Sequence, residues 1–238
     1  MQTAHCEWGL NGVRTLRERC SVLVIVDVLS FSSAVDIAVS RGALIVPFPL
    51  GDREAAATAA AAAGAVLASP KRGGGEGQYS LSPASLQSIP AGTKLMLPSP
   101  NGSRLSLEGG TATVFAGCLR NAKAVAAAAV RLANGRDIGV VPAGERWKQD
   151  DTLRPAIEDF IGAGAIIAAL GLAMTAEARF AHDAFAACDP ASAIRESMSG
   201  RELIDWGFPE DVELAIQHDV STTAPQLIDG IYRTTSMD

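Results

Sequence analysis

The sequence predicts an α/β protein, layered α/β/α around a largely parallel or mixed sheet. Three observations carry this reading. Strand-length apolar runs recur at residues 22–26, 43–48, 65–68, 94–97, 112–115 and 138–141. Segments of helical length, alanine-rich or amphipathic, lie between them, which is the alternation of βαβ units. The first run, "VLVIV", is apolar at every position, as expected of a strand covered on both faces. The 238 residues suffice for a single domain over 1–238, with a candidate lobe junction near 69–90.

Taken in order, the run at 22–26 leads through Asp27 into "LSFSS" and a helix over 32–41. After the strand at 43–48, "LGDREAAATAAAAAG" reads as a helix over 52–63. It has an Asp near its start, Gly64 just past its end, and alanine, the strongest helix former, between them. Residues 69–85, "SPKRGGGEGQYSLSPAS", hold four of the 23 glycines. Glycine at this density suits a mobile or ligand-hugging segment, and equally a surface linker. The strand at 94–97 meets "SPNGS", the strand at 112–115 opens a helix over 120–134, and the strand at 138–141 ends in "PAGE". Beyond residue 142 helices dominate, over 155–172, 174–187, 190–196, 199–206 and 208–217, with one short extended piece near 219–223.

Composition excludes several classes. A net charge of −6 gives no basic track for nucleic acid, so any anionic ligand must be held locally. Cys6, Cys20, Cys118 and Cys188 are far apart, with no CxxC pair or Cys/His metal spacing. The first twenty residues do not read as a signal peptide, so reduced thiols and a cytoplasmic location are expected. The most apolar helix, around "IGAGAIIAALGLAM", is too short to cross a bilayer. His5, His182 and His218 fit no metal or triad spacing. The high apolar content is compatible with a homo-oligomer.

Four strand ends carry groups with chemistry. Asp27, followed by Ser30, Ser32 and Ser33, sits where open α/β sheets bind ligands. It either places a hard cation beside an anion or caps the next helix. In "SPNGS", Asn101-Gly102 permits positive φ. The turn, with Ser99 and Ser103 as further donors, is either an anion-binding nest or an Asn-Gly hairpin. In "GCLRNAKAVA", Arg120 and Lys123 share a face near a helix amino end, where they oppose the dipole unless an anion offsets them. Asn121 is a candidate polar contact, and Cys118 reads as a packed thiol. Glu145 follows the last strand on a loop, and Glu158 and Asp159 open an apolar helix. Dipole stabilisation of up to about 1 kcal/mol explains acids there by itself, yet Gly162 and Gly164 one turn on admit another backbone closely.

The ordered blocks "VIVDVLSFSSAV", "YSLSPASL", "LPSPNGSRL", "GCLRNAKAVA", "VVPAGE", "IEDFIGAGAI" and "SMSGRELIDWGFPEDVELA" resemble those of the 2-phosphosulfolactate phosphatase family, the ComB-type proteins associated with coenzyme M biosynthesis. The resemblance spans most of the chain and implies a ComB-like α/β fold. It also implies a Mg²⁺-dependent acid phosphatase acting on a small phosphorylated sulfonate. Carried over, Asp27, Glu145, Glu158 and Asp159 become the acids for Mg²⁺ and water activation, with the metal on Asp27, Glu158 and Asp159. Asn101, Gly102 and Ser103 hold phosphate, and Arg120 or Lys123 stabilises charge on its oxygens. Ser30, Ser32, Ser99 and Asn121 complete the substrate-binding set. Two departures stand out: Ser30 replaces the arginine common after "DVL", and the 70–83 loop is altered. A serine cannot reproduce an arginine fork, but Lys71 or Arg72 can reach in from that loop. The rival readings are a non-catalytic small-anion binder on the same fold and a nucleotide-binding oxidoreductase. The second lacks a GxGxxG fingerprint after the first strand.

Overall fold

The computed structural model describes residues 1–73 and 79–234; the glycine-rich stretch 74–78 of the expected loop lies outside the described residues, as do 235–238. The chain opens with β1 (Thr3–Cys6), α1 (Gly9–Leu16), β2 (Val22–Val26), α2 (Phe31–Ser40), β3 (Leu44–Pro49), α3 (Arg53–Ala62) and β4 (Val66–Leu67). A 3₁₀ turn, Pro83–Leu86, precedes β5 (Lys94–Ser99), α4 (Gly102–Leu107), β6 (Thr113–Gly117), α5 (Ala122–Ala133) and β7 (Ile138–Pro142). Then come β8 (Glu145–Arg146), β9 (Leu153–Arg154), α6 (Ile157–Leu170), β10 (Ala173–Met174), α7 (Ala176–Ala187), α8 (Pro190–Glu196), α9 (Met198–Asp205) and α10 (Pro209–Ala215). A hairpin of β11 (Pro225–Ile228) and β12 (Ile231–Thr234) closes the series.

Among the described residues ten strands form one sheet in the order β10-β1-β7-β2-β6-β11-β12-β3-β5-β4, while β8 and β9 pair separately. The first five strands are mutually parallel, and so are the last three. The hairpin pairs antiparallel with its neighbours on both sides. Followed across that hairpin, the two parallel blocks run in opposite directions.

β2 is the centre of the first block. Its five residues pair with Thr113–Gly117 on one side and Ile138–Pro142 on the other, and all five are fully buried. Because strand side chains alternate, Val22, Val24 and Val26 enter the core beneath α5, α6 and α7. Leu23 and Ile25 enter the opposite core, shared with α1, α2 and α4. Each such side chain contributes roughly 1.5–3 kcal/mol on burial. This double covering is why the run carries no polar alternation, and it yields the layered α/β/α arrangement.

The helix boundaries follow local chemistry. The Asp52 carboxylate accepts the Glu54 and Ala55 amides at the start of α3, and Gly64 beyond its end has φ +60. Gly171 ends α6 in the same left-handed conformation. α6 is buried between the sheet and α7, and there its glycines matter: a Cβ on Gly164 would lie 2.1 Å from the Ala181 carbonyl oxygen.

The structure corrects four expectations. No strand forms over 219–223; the extended piece is β11, starting at Pro225 and paired with β12. β1 and α1 precede the first expected strand, and only Ala4 and Cys6 of β1 are buried, so it has no apolar run to read. The Asn-Gly turn is not a hairpin, since α4 begins at Gly102. Nor does Gly102 use a positive φ: it is there because a Cβ would lie 2.2 Å from the Phe31 ring. Gly164→Ala forces α6 and α7 apart and is expected to destabilise the fold by about 1–3 kcal/mol, read as a lower urea midpoint with unchanged slope; an unaltered midpoint would show that the interface is loose.

Candidate active site

The C-terminal end of β2 delivers Asp27, 6% exposed, into the layer between sheet and helices. One carboxylate oxygen accepts the Phe31 amide at 3.1 Å and the other the Gly102 amide at 2.9 Å. The first bond turns the chain into α2. The second reaches the start of α4 after β5, a strand of the other parallel block. Gly102 lies directly against the Phe31 ring at the start of α2, and its missing Cβ permits that approach. Ser32 Oγ accepts the Asp27 amide and donates to the Ile25 carbonyl, which fixes the backbone there.

The other acids converge on the same place. At the start of α6, the Asp159 carboxylate accepts the Val28 amide at 2.7 Å and the Gly144 amide at 2.8 Å. It therefore ties the loops after β2 and β7 to the helix. Glu145, next after Gly144, accepts Asn101 Nδ2 at 3.0 Å on Oε2. Glu158 beside Asp159 is 2% exposed. Burial pushes the Asp27 carboxyl up to about 6, opposed by the Phe31 and Gly102 amides and Arg72, while Glu158 adds to the rise. Burial, then Asp27 and Glu158, push Glu145 up to about 7. Burial, with Asp27 and Glu158 next, holds Asp159 well above the ordinary carboxylate range.

Four buried or half-buried acids within mutual electrostatic reach form a site with surplus negative charge, and its donors are all hard oxygens. The histidines pair elsewhere, with Asp137, Asp183 and Asp219. Among the described residues no three acidic, His or Cys side chains close into a ready-made cation cage. Such a donor set fits Mg²⁺, which keeps waters and takes one or two carboxylates together with phosphate oxygens.

The remaining expected residues have internal partners. Asn101 N donates to Ser99 Oγ, and Ser103 Oγ donates to the Leu97 carbonyl. The anion that the "SPNGS" turn holds is the Asp27 carboxylate itself. Arg120 Nε binds buried Asp36 at 2.9 Å, and its Nη1 donates to the Leu214 carbonyl and Gln217. Asn121 is fully buried and caps its own turn through the Cys118 amide and the Ala116 carbonyl. Lys123 is exposed and pairs with Asp219 at 3.1 Å. The bonds of these three residues lead away from the carboxylates. Cys118 is packed and its thiol is pushed up to about 12, first by burial.

Ser30 lies where the family commonly has arginine, and there Arg72 arrives from the altered loop. Its Nη2 donates to Ser30 Oγ at 2.9 Å, and Nη1 binds Asp211 at 2.7 Å. Asp211 is buried in the first turn of α10 and also accepts Ser82 Oγ and the Ala84 amide, so the guanidinium is anchored from behind. Arg72 and Glu145 border a cavity of about 330 Å³. Asp36 and Asp211 escaped the sequence reading because neither stands at a strand end, and their partners Arg120 and Arg72 are 84 and 139 residues away in the chain.

The 2-phosphosulpholactate phosphatase family model matches residues 13–230, a span that includes all four clustered acids. The chain belongs to the 2-phosphosulfolactate phosphatase family. This family member is thereby a phosphoric monoester hydrolase. It is 32% identical over 219 residues to the 2-phosphosulfolactate phosphatase of Methanothermobacter thermautotrophicus, covering 90% of this chain and 89% of that protein. It is also 28% identical over 212 residues to the probable 2-phosphosulfolactate phosphatase of Carboxydothermus hydrogenoformans, covering 86% and 85%. No described helix of this phosphatase is long and apolar enough to cross a membrane.

The raised acids set a pH dependence. In the folded chain Asp27 and Glu145 hold protons up to about 6 and about 7, above their unfolded values near 4. Their stabilising contribution is therefore complete below about pH 4 and lost as pH rises through about 7. In EDTA the urea midpoint is expected to fall between pH 5 and pH 8, and Glu145→Gln to flatten that fall. An identical slope in wild type and variant would contradict the clustering.

Proposed function

We propose that the chain is a Mg²⁺-dependent phosphatase of a small acidic phosphomonoester, with 2-phosphosulfolactate cleaved to sulfolactate and phosphate. The convergence of Asp27, Glu145, Glu158 and Asp159 from three parts of the chain carries this reading. Asp27, Glu158 and Asp159 are the residues that would hold Mg²⁺. When bound, the ion supplies Lewis-acid polarisation of the phosphoryl group and offsets its charge.

The chain's own residues supply the rest. Glu145 is held at Oε2 by Asn101, Oε1 accepts no hydrogen bond among the described residues, and its raised pKa suits exchange of a proton near neutrality. In hydrolysis a water oxygen bonds to phosphorus, the ester P–O bond breaks with its electron pair leaving on the alkoxide, and Glu145 accepts the water proton. The alkoxide leaves as the alcohol after protonation from solvent. Arg72, braced by Asp211, offers a guanidinium to the phosphoryl oxygens where the family arginine is replaced by Ser30. Arg120 contributes by fixing α2 through Asp36. Four unpaired cysteines support placing the reaction in the cytoplasm.

Phosphate release from phosphosulfolactate, phospholactate and phosphoglycolate, with Mg²⁺ and with EDTA, separates this reading from a small-anion binder. Release is expected only with Mg²⁺. Glu145→Gln should lower kcat roughly 10²–10⁴-fold while substrate binding persists. No release from any of the three esters leaves the binding protein as the better account.

A further inference from the structure

The cavity beside Glu145 has a wall that the reaction does not use. The cavity as a whole is lined by four cations, Arg72, Arg146, Lys148 and Arg154, and two carboxylates, Glu145 and Glu202, with Arg154 opposite Glu145 across the β8–β9 pair. In a chain of net charge −6 this local excess is unusual. Two of the cations are matched. Arg72 has Asp211, and Arg146 pairs with Asp151 at 2.9 Å.

Arg154 differs. It is 8% exposed, and its nearest carboxylate, Glu202, stands at 3.6 Å, beyond hydrogen-bond distance. Its Nη2 donates to Ser199 Oγ at 3.2 Å, and its guanidinium carbon lies 5.9 Å from the Trp147 ring centroid. A guanidinium has five N–H donors in a fixed fork. Among the described residues the others have no protein acceptor, although the group lines the cavity and acts electrostatically on Glu145. The donors that Ser199 does not take are open to an anion in the cavity, because Glu202 pairs with the guanidinium only at 3.6 Å. Lys148, exposed on the same cavity, has no ion-pair partner among the described residues.

We propose that Arg154 and Lys148 form a second anion subsite that grips the non-phosphoryl acid group of the substrate, a carboxylate or sulfonate, and so determine specificity for phosphomonoesters of small acids. The planar fork of Arg154 matches either oxyanion bidentately, and Lys148 adds a mobile charge at the rim. Trp147 covers the guanidinium and limits the water that would screen it. The inference deepens the phosphatase reading and rests on it, because the anion is placed relative to the phosphoryl site at Glu145.

Two measurements on the full chain test it. The first is the ratio of kcat/KM for phosphoglycolate to that for ethyl phosphate, which lacks a second acid group. Arg154→Met keeps the apolar stem against Trp147, and we expect it to lower that ratio at least about tenfold through KM, the loss of a charge-assisted contact. Lys148→Ala, at an exposed position, should lower it by a smaller factor without affecting folding. Equal losses on both esters, or none, would overturn the subsite. The second measurement is calorimetric titration with sulfoacetate and with malonate, neither of which carries phosphate. Wild type is expected to bind at least one, and Arg154→Met to weaken that binding by a similar factor. The stronger ligand shows whether the subsite prefers sulfonate or carboxylate. Binding equal in wild type and both variants sinks the subsite even if phosphate release stands. Conversely, absent phosphate release with Arg154-dependent titration sinks the phosphatase reading and leaves the anion subsite intact.

Discussion

Everything at the site depends on one carboxylate bridging two strand ends. Asp159 sits in the first turn of α6 and receives the amides of Val28 and Gly144, the residues just after Asp27 and just before Glu145. Burial raises the cost of losing either hydrogen bond. The clamp sets where β2 and β7 release their acids. Asp27 then extends the constraint to the other half of the sheet through the Gly102 amide. Tyr232 in the hairpin donates to Ser106 Oγ, which donates to the Gly102 carbonyl, so the far block is braced from its own side.

The same packing that positions these acids makes them unfavourable as ions. Among the described residues two cations come near them: Arg72, anchored to Asp211, and Arg154, which stands opposite Glu145 across the β8–β9 pair and pairs with Glu202 at 3.6 Å. A site that stores repulsion in this way is stabilised by the ligands it is built to hold, and it exchanges some stability of the empty fold for function. Around the cavity cations and acids are interleaved, with Arg154 opposite Glu145 across the β8–β9 pair and beside Glu202.

Much of the fold was legible in the sequence, because uninterrupted apolar runs are the direct result of burial on both faces. "VLVIV" is β2, and six of the strands and the long helices fall where their periodicity puts them. The hairpin that joins the blocks was not legible. "PQLI" and "IYRT" are four residues each, and their place in the middle of the sheet is decided by pairing with residues distant in the chain. The acids were legible as a set, since strand ends are where α/β sheets carry chemistry. Their partners were not. Arg120 and Lys123 looked like anion contacts by helical spacing, yet Asp36 and Asp219 claim them, and neither acid carries a local signal. Gly102 was noticed for the wrong property: positive φ is a sequence-level rule, whereas contact with Phe31 exists only in the fold. Arg154 sits in the unremarkable "LRP", and only its burial on the cavity wall with a single hydrogen bond draws attention to it.

Direct titration of the EDTA-treated protein with Mg²⁺ or Mn²⁺, followed by calorimetry or Mn²⁺ paramagnetic resonance, tests the central claim that these acids converge to bind one divalent ion. The account predicts a single class of site with one ion per chain, lost in Asp27→Asn and in Glu158→Gln while the fold persists. Full-affinity binding in both variants, or no binding by the wild type with or without phosphate, would contradict it.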